Sequence, residues 1–329
     1  MKILIIRFSS IGDIVLTTPV IRCLKQQLAH AEIHFLTKYS FRDILEANPY
    51  IDKLILLRTD WAATMHELKN EHYDVVIDLH HNLRTLRVKR TLKVKQTFSF
   101  NKLNTQKWLL TALKVNRLPK MHIVDRYLDA VKKLGVQNDG KGLDYFIPEK
   151  DKVALQDIPT THQFGFIGIV IGAALATKRM PLHKLKTLCE QISYPIILLG
   201  GPEDKKDGDA IASADNIKIY NACGKFSLNE SADLVQQSKL IITHDTGLMH
   251  IAAALQKKII SIWGNTVPEF GMGAYYGNKE TRDLQFEVLN LSCRPCSKIG
   301  YKQCPKKHFK CMELQNVEAI ANEAIRLIQ

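Results

Sequence analysis

Acidic residues are missing where the chain is most basic. Between residues 79 and 124 there is no Asp or Glu, although Arg84, Arg87, Lys89, Arg90, Lys93, Lys95, Lys102, Lys107, Lys114, Arg117 and Lys120 all fall there. No apolar run is long enough to span a bilayer. The uncharged stretch 164–177 is short and broken by glycine, and the apolar opening 1–6 meets Arg7 and Asp13 before it could form a signal-peptide core. A cytoplasmic location is therefore expected. Cysteine is scarce and odd in number, at seven. Without an export signal, such residues are expected as free thiols or metal ligands rather than as a disulfide framework. The phosphate-cradling patterns G-x-G-x-x-G and G-x-x-x-x-G-K-[ST] are also absent. Zinc-finger, RRM and helix-turn-helix spacings are missing too, and Phe98, Phe100 and Trp108 are too sparse for a base-stacking platform. Nucleic acid is thus disfavoured as a partner.

What is present is a 329-residue chain with 46 Lys+Arg against 33 Asp+Glu, a formal charge of +13. The length suggests about two domains. A hydrophobic fraction of 46% and a charged fraction of 24% suit ordinary globular folding. A second basic cluster gathers Arg294, Lys298, Lys302, Lys306, Lys307 and Lys310. Fields of one sign attract anions, and a membrane surface or a saccharide phosphate fits best; the plainer alternative is a solvated face that aids solubility.

Apolar, β-branched runs predict strands at 2–8, 32–37, 53–57, 75–79 and 96–100, with helices near 41–48 and 125–134. The pattern stalls near residue 150. It resumes with strands at 166–171, 195–199, 217–220, 240–243 and 258–263, and helices at 182–192, 205–212, 228–237 and 248–255. This alternation predicts an α/β chain of two doubly wound, Rossmann-like halves, 1–150 and 151–329, with ligands at the carboxyl ends of parallel strands.

Three turns could carry chemistry. Ser9-Ser10-Ile11-Gly12-Asp13 joins the first strand to a helix, and Ser10-x-x-Asp13 has capping-box spacing. Asp13 is either a cap or a general base. The loop 172–181 supplies small residues, then Thr177, Lys178 and Arg179, a set suited to a diphosphate or to an ordinary basic loop. In Thr243-His244-Asp245-Thr246-Gly247-Leu248-Met249-His250, a strand meets a helix whose free N–H groups favour an anion beside His250. Cys293-x2-Cys296-x7-Cys304-x6-Cys311 admits a zinc reading, but free thiols in a lysine-rich loop are favoured and no metal is expected. His80-His81 reads as the polar end of the fourth strand, since neighbours on a strand face opposite ways.

In order and spacing these strings resemble the ADP-heptose:lipopolysaccharide heptosyltransferases, the family 9 glycosyltransferases. The resemblance rests on 8–19, on Asp78-Leu79-His80 with Asn82-Leu83-Arg84, on Thr177-Lys178-Arg179 with Pro181, on Leu199-Gly200-Gly201, and on Asp245-Thr246-Gly247 with His250. Met180 departs from it, standing where the family often has an aromatic residue. The resemblance implies a GT-B architecture, two halves facing across a cleft, with the acceptor on 1–150 and the nucleotide sugar on 151–329. It also implies inverting, metal-independent transfer of a heptose or related sugar from ADP-heptose to the lipopolysaccharide inner core. Asp13 would be the general base and Lys178 a second catalytic residue. Thr177, Lys178, Glu203, Asp245, Thr246, Gly247 and His250 would hold the donor, while Ser10, Gly12, Arg84 and Arg87 would meet the acceptor. No cofactor is implied beyond the nucleotide-sugar co-substrate. The expected partners are that donor, an anionic lipopolysaccharide-core acceptor and, peripherally, the inner face of the inner membrane, with the enzyme a monomer. Competing readings are a sugar-nucleotide epimerase or hydrolase on the same fold, or a non-catalytic membrane-surface protein.

Overall fold

The computed structural model describes residues 1–329. It divides into two compact units. The first comprises Met1–Leu103, Met121–Phe146 and Tyr275–Lys279, and the second Asn104–Lys120, Ile147–Ala274 and Glu280–Gln329. A single boundary near residue 150 therefore misses two exchanged segments. The exchange also divides the acid-free stretch, because Lys107, Lys114, Arg117 and Lys120 belong to the second unit. One cause is apolar: Leu110 and Leu118 pack with Val267, Phe270 and Met272 of that unit.

In the first unit, β1 (Lys2–Ile6), β2 (Glu32–Lys38), β3 (Lys53–Leu57), β4 (Val75–Asp78) and β5 (Gln96–Ser99) form one parallel sheet in the order β3-β2-β1-β4-β5. Continuous apolar runs suit β1 and β4, which are buried almost throughout. The helices are α1 (Ile11–Val15), α2 (Thr18–Gln27), α3 (Trp61–Asn70) and α4 (Leu83–Leu92). Next, α5 (Asn104–Trp108) lies in the second unit, and α6 (Ile123–Val131) returns to the first and packs on α2. Pro19 in the first turn of α2 and Asn82, whose side chain accepts the Thr85 N–H, fix two helix starts. The expected helix at 41–48 is instead a 3₁₀ segment, Tyr39–Ile44, and Pro49 bars an α-helix from continuing beyond it.

The second unit's sheet is β11-β10-β9-β6-β7-β8, again parallel. Its strands are β6 (Ile167–Val170), β7 (Ile196–Leu199), β8 (Ile219–Asn221), β9 (Leu240–His244), β10 (Ile259–Trp263) and β11 (Asp283–Glu287). Between and after them run α7 (Leu182–Gln191), α8 (Lys205–Ala212), α9 (Leu228–Gln237), α10 (Gly247–Ala254), α11 (Lys310–Glu313) and α12 (Val317–Ile328). The strand order matches the doubly wound dinucleotide-binding arrangement, whose direction of winding reverses between β6 and β9. The expected α/β class, two doubly wound halves, is what the chain adopts. No helix is long and apolar enough to cross a membrane.

Candidate functional site

In the first sheet the winding reverses between β1 and β4, so the loops that leave these two strands border the crevice where ligands bind in such folds. Arg7 follows β1 and is 7% exposed. Its guanidinium donates to the Ser9 carbonyl at 2.8 Å, the Leu79 carbonyl at 2.5 Å and the Tyr127 hydroxyl at 3.1 Å, and pairs with Asp13 at 2.7 Å. Asp13, in the first turn of α1, also accepts from the Ser10 hydroxyl at 2.8 Å and the Ser10 N–H at 3.3 Å. The carboxylate is thus both a cap and one half of an ion pair, and its side chain stays 25% exposed. The guanidinium holds the carboxylate in place with part of its surface toward solvent.

His80 stands just beyond β4, its ring 5.2 Å from that of Phe8. Burial, reinforced by the positive charges of Arg7 and Lys102, pushes its imidazole down to about 4. It is neutral near pH 7. Asp78 is fully buried, pairs with Lys89 at 3.1 Å and accepts the N–H groups of His80 and His81 at 3.1 and 2.6 Å. Its role is to fix the end of β4. Ser10 is exposed and Gly12 buried. Arg84 and Arg87 lie exposed on α4, and the Arg87 guanidinium sits 5.1 Å over the Trp61 ring.

In the second unit, the loops leaving β6 and β9 bring Lys178 and Asp245 together at that sheet's own reversal point. The Lys178 ammonium pairs with the Asp245 carboxylate at 2.6 Å and donates to the Asp245 carbonyl at 3.2 Å. Thr266, beyond β10, donates its hydroxyl to the same carboxylate at 2.9 Å. Thr246 is the N-cap residue of α10, and its hydroxyl lies 3.2 Å from that of Thr243. Gly247 begins the helix, and His250 is buried one turn on. Its first-turn N–H groups, beside an ammonium, suit an anion.

Several neighbours of this cradle turn out to be structural. Thr177 is 2% exposed, and its hydroxyl accepts the Tyr301 N–H at 2.7 Å and reaches the Tyr301 carbonyl at 3.2 Å. It anchors the loop. Arg179 pairs with buried Asp204 at 2.9 Å and donates to the Ala173 carbonyl at 2.7 Å. Gly172 owes its smallness to Asp204, since a Cβ there would lie 2.0 Å from that carboxylate. Glu203 is exposed in the short turn after β7. His244 accepts the Met180 N–H at 3.0 Å, and burial pushes its imidazole down to about 4.

Residue reading from the sequence missed Arg7, Thr266 and Tyr301. A cation ending an otherwise apolar strand was the available signal for Arg7. Nothing local marks Thr266 or Tyr301, whose partners lie 21 and 124 positions away.

Residues 61–307 match the family described as glycosyltransferase family 9 (heptosyltransferase). Over 295 residues the chain is 26% identical to lipooligosaccharide heptosyltransferase 2 of Haemophilus influenzae, covering 82% of this chain and 85% of that protein. It is 30% identical over 293 residues to lipopolysaccharide heptosyltransferase 1 of Campylobacter coli, with 81% and 84% covered. A solved family 9 glycosyltransferase from Veillonella parvula is similar at a TM-score of 0.77 and 24% identity, covering 99% of this chain and 97% of that one. The structure of Escherichia coli ADP-heptose lps heptosyltransferase II is similar at a TM-score of 0.76 and 20% identity, with 100% and 98% covered.

Proposed function

We propose that this chain, which belongs to glycosyltransferase family 9, the heptosyltransferases, moves a heptose from ADP-heptose to a lipopolysaccharide inner core. The chain is a glycosyltransferase by family. The donor, acceptor and mechanism are our reading, and the observation that carries it is the Lys178–Asp245–Thr266 set at the reversal point of a dinucleotide-type sheet.

On this reading the first unit binds the acceptor, through Ser10, Gly12, Arg84 and Arg87, and the second binds the donor. Asp13 takes the proton of an acceptor hydroxyl as its oxygen attacks the anomeric carbon. The bond from that carbon to the β-phosphate oxygen breaks on the opposite face, its electron pair leaves with ADP, and the configuration inverts. Charge growing on the diphosphate meets Lys178 and the N–H groups at Thr246–Gly247, fixed donors that need no metal. Asp245 holds Lys178 in place until the diphosphate arrives. His250 borders the sugar and phosphates, Glu203 takes ribose hydroxyls, and Thr177 contributes by fixing the loop that carries Lys178. The basic residues support a peripheral position at the inner face of the inner membrane, with the enzyme a cytoplasmic monomer.

The test incubates the protein, with excess chelator, with ADP-heptose and a lipopolysaccharide core lacking heptose. A mass gain of one heptose and an inverted anomeric configuration are expected. Equal donor consumption without acceptor would replace this reading with an epimerase or hydrolase.

A further inference from the structure

Two basic stretches that lie far apart in the chain meet in the second unit. Segment 104–120 carries Lys107, Lys114, Arg117 and Lys120 with no Asp or Glu, and 288–312 carries Arg294 and five lysines, again with no acid. Lys114 donates to the carbonyls of Cys293 at 3.3 Å and Pro295 at 2.7 Å, and the Lys298 ammonium reaches the Asn104 side-chain oxygen at 3.5 Å. Joined there, the two stretches make one surface of a single sign.

That surface is also apolar. α5 runs on into one turn of π-helix, Leu109–Leu113, and Trp108 and Leu113 are each 57% exposed. Val115 is 42% exposed, and in the other stretch Ile299 and Tyr301 are 64% and 42% exposed. Leu113 and Val115 flank Lys114, and Ile299 follows Lys298, so the two contacts bring the exposed apolar residues of both stretches to the same junction. The exposure is not slack in the fold. Leu110 and Leu118 pack on Val267, Phe270 and Met272, Lys107 lies 6.0 Å over the Phe270 ring, and Tyr301 exchanges hydrogen bonds with Thr177. Each stretch is thus pinned by one set of side chains while another set stays open to solvent. Apolar side chains exposed singly are ordinary, whereas a group of them rimmed by charge marks an interaction surface.

We infer that this junction docks on an anionic lipid bilayer, with Trp108, Leu113 and Ile299 entering the interface and the cations lying at the headgroup phosphates. It deepens the peripheral position proposed above by placing the contact on the second unit rather than on α4. Charge complementarity selects this occupant. Arg117, Lys120, Lys298, Lys302, Lys306 and Lys307 are exposed, and no carboxylate in either stretch offsets them. A polyanion without acyl chains would satisfy these cations but not Leu113, Val115 and Ile299. Tryptophan and tyrosine rings, apolar in body and polar at one edge, settle at headgroup level. Apolar side chains beside lysine and arginine are the makeup of elements that lie in a bilayer's surface, where burial and charge attraction add to each other.

The test sediments the full chain with vesicles of equimolar phosphatidylcholine and phosphatidylglycerol, and with vesicles of phosphatidylcholine alone. Wild type should bind the anionic vesicles at least about tenfold more strongly, with its tryptophan emission shifted to the blue. Trp108→Ser/Leu113→Ser should bind at least about tenfold more weakly and lose the shift, while keeping the wild-type melting temperature and ADP affinity. Arg117→Gln/Lys306→Gln/Lys307→Gln should lose the preference for anionic lipid, and Arg84→Gln/Arg90→Gln on α4 should keep it. Wild type that stays in the supernatant, or Trp108→Ser/Leu113→Ser that binds as wild type does, overturns the inference. So does a lipid preference lost only in the α4 variant. Heptose transfer to a deacylated, water-soluble core is assayed in parallel. Transfer without vesicle binding overturns the docking surface alone, and vesicle binding without transfer overturns the proposed reaction alone.

Discussion

Arg7 and Asp13 form a 2.7 Å ion pair in which the arginine is buried and the carboxylate is still a quarter exposed. The asymmetry matters chemically. Arg7 spends its other donors on the carbonyls of Ser9 and Leu79 and on Tyr127, so the cation is fixed while the carboxylate keeps a solvent-facing side. Asp13→Asn keeps the size and loses the proton acceptor. Turnover should fall by about 10²–10⁴, with nucleotide binding by calorimetry unchanged. Wild-type turnover in this variant would remove Asp13 from the mechanism. Arg7→Met should cost about 2 kcal/mol in urea unfolding, since the carbonyls it caps lose their donor, and should depress turnover as well.

Lys178 and Asp245 make the corresponding pair in the second unit, with side chains 19% and 11% exposed. If the ammonium hands over from Asp245 to a diphosphate, Lys178→Ala should weaken ADP binding by about 10–100-fold, the worth of one charge-assisted contact. Asp245→Asn should leave Lys178 less well placed and give a smaller loss. Equal nucleotide affinity in Lys178→Ala and wild type, measured by calorimetry, would exclude the lysine as a phosphate ligand.

Much of this was legible without coordinates, for a stated physical reason. Parallel strands buried on both faces read as apolar runs, so β1, β4, β9 and β10 stand out, and the turns after them carry Asp13 and Asp245. Partly buried β11, with acids at both ends, lacks that signature. So does α4, where only Thr85 and Val88 are buried among arginines. α12 shows helical spacing at Val317, Ile320, Ala321 and Ala324, yet was not among the expected helices. The partners of Asp13 and Asp245 were hidden because tertiary packing, not spacing, selects Arg7 and Thr266. The same holds for segment 104–120, whose Leu110 and Leu118 find their apolar neighbours far along the chain.

Acid should destabilise the fold through two desolvated histidines. His80 and His244 have imidazoles held down to about 4 from the ordinary 6.5 by burial. Between these values the unfolded chain binds more protons than the folded one, so stability is full above about pH 6.5 and declines as the pH falls. Asp144, Asp204 and Asp283 are shifted upward by burial and act in the opposite sense. The histidine effect is therefore isolated by comparing variants between about pH 6.5 and 4. Unfolding free energies over that window should slope less in His244→Gln, whose amide oxygen can still accept the Met180 N–H.

Arg22 is 2% exposed and anchors α2 to the segment after α6. It bonds both oxygens of Asp139 at 2.8 and 2.9 Å, the Gly142 carbonyl at 2.8 Å, and Asp144. Arg22→Ala strands two carboxylates and a carbonyl, and should cost about 3–5 kcal/mol in equilibrium unfolding. Arg22→Lys should recover little of it, because one ammonium cannot reproduce a bidentate fork.

The basic surface of α4 can be tested only by choosing residues whose charge is not already engaged. Lys89 neutralises buried Asp78 and Arg87 packs over Trp61, so removing either perturbs folding as well as charge. Arg84 and Arg90 are exposed on the same helix with no such duty in the first unit. Arg84→Gln/Arg90→Gln should keep the wild-type melting temperature and ADP affinity while raising the KM for a phosphorylated core acceptor by about 3–30-fold, at roughly 1 kcal/mol per lost surface contact. The difference from wild type should shrink as ionic strength rises, since exposed charges are screened over about 8 Å at physiological salt. An unchanged acceptor KM at low salt would leave α4 a solubility face and move acceptor recognition elsewhere on the unit.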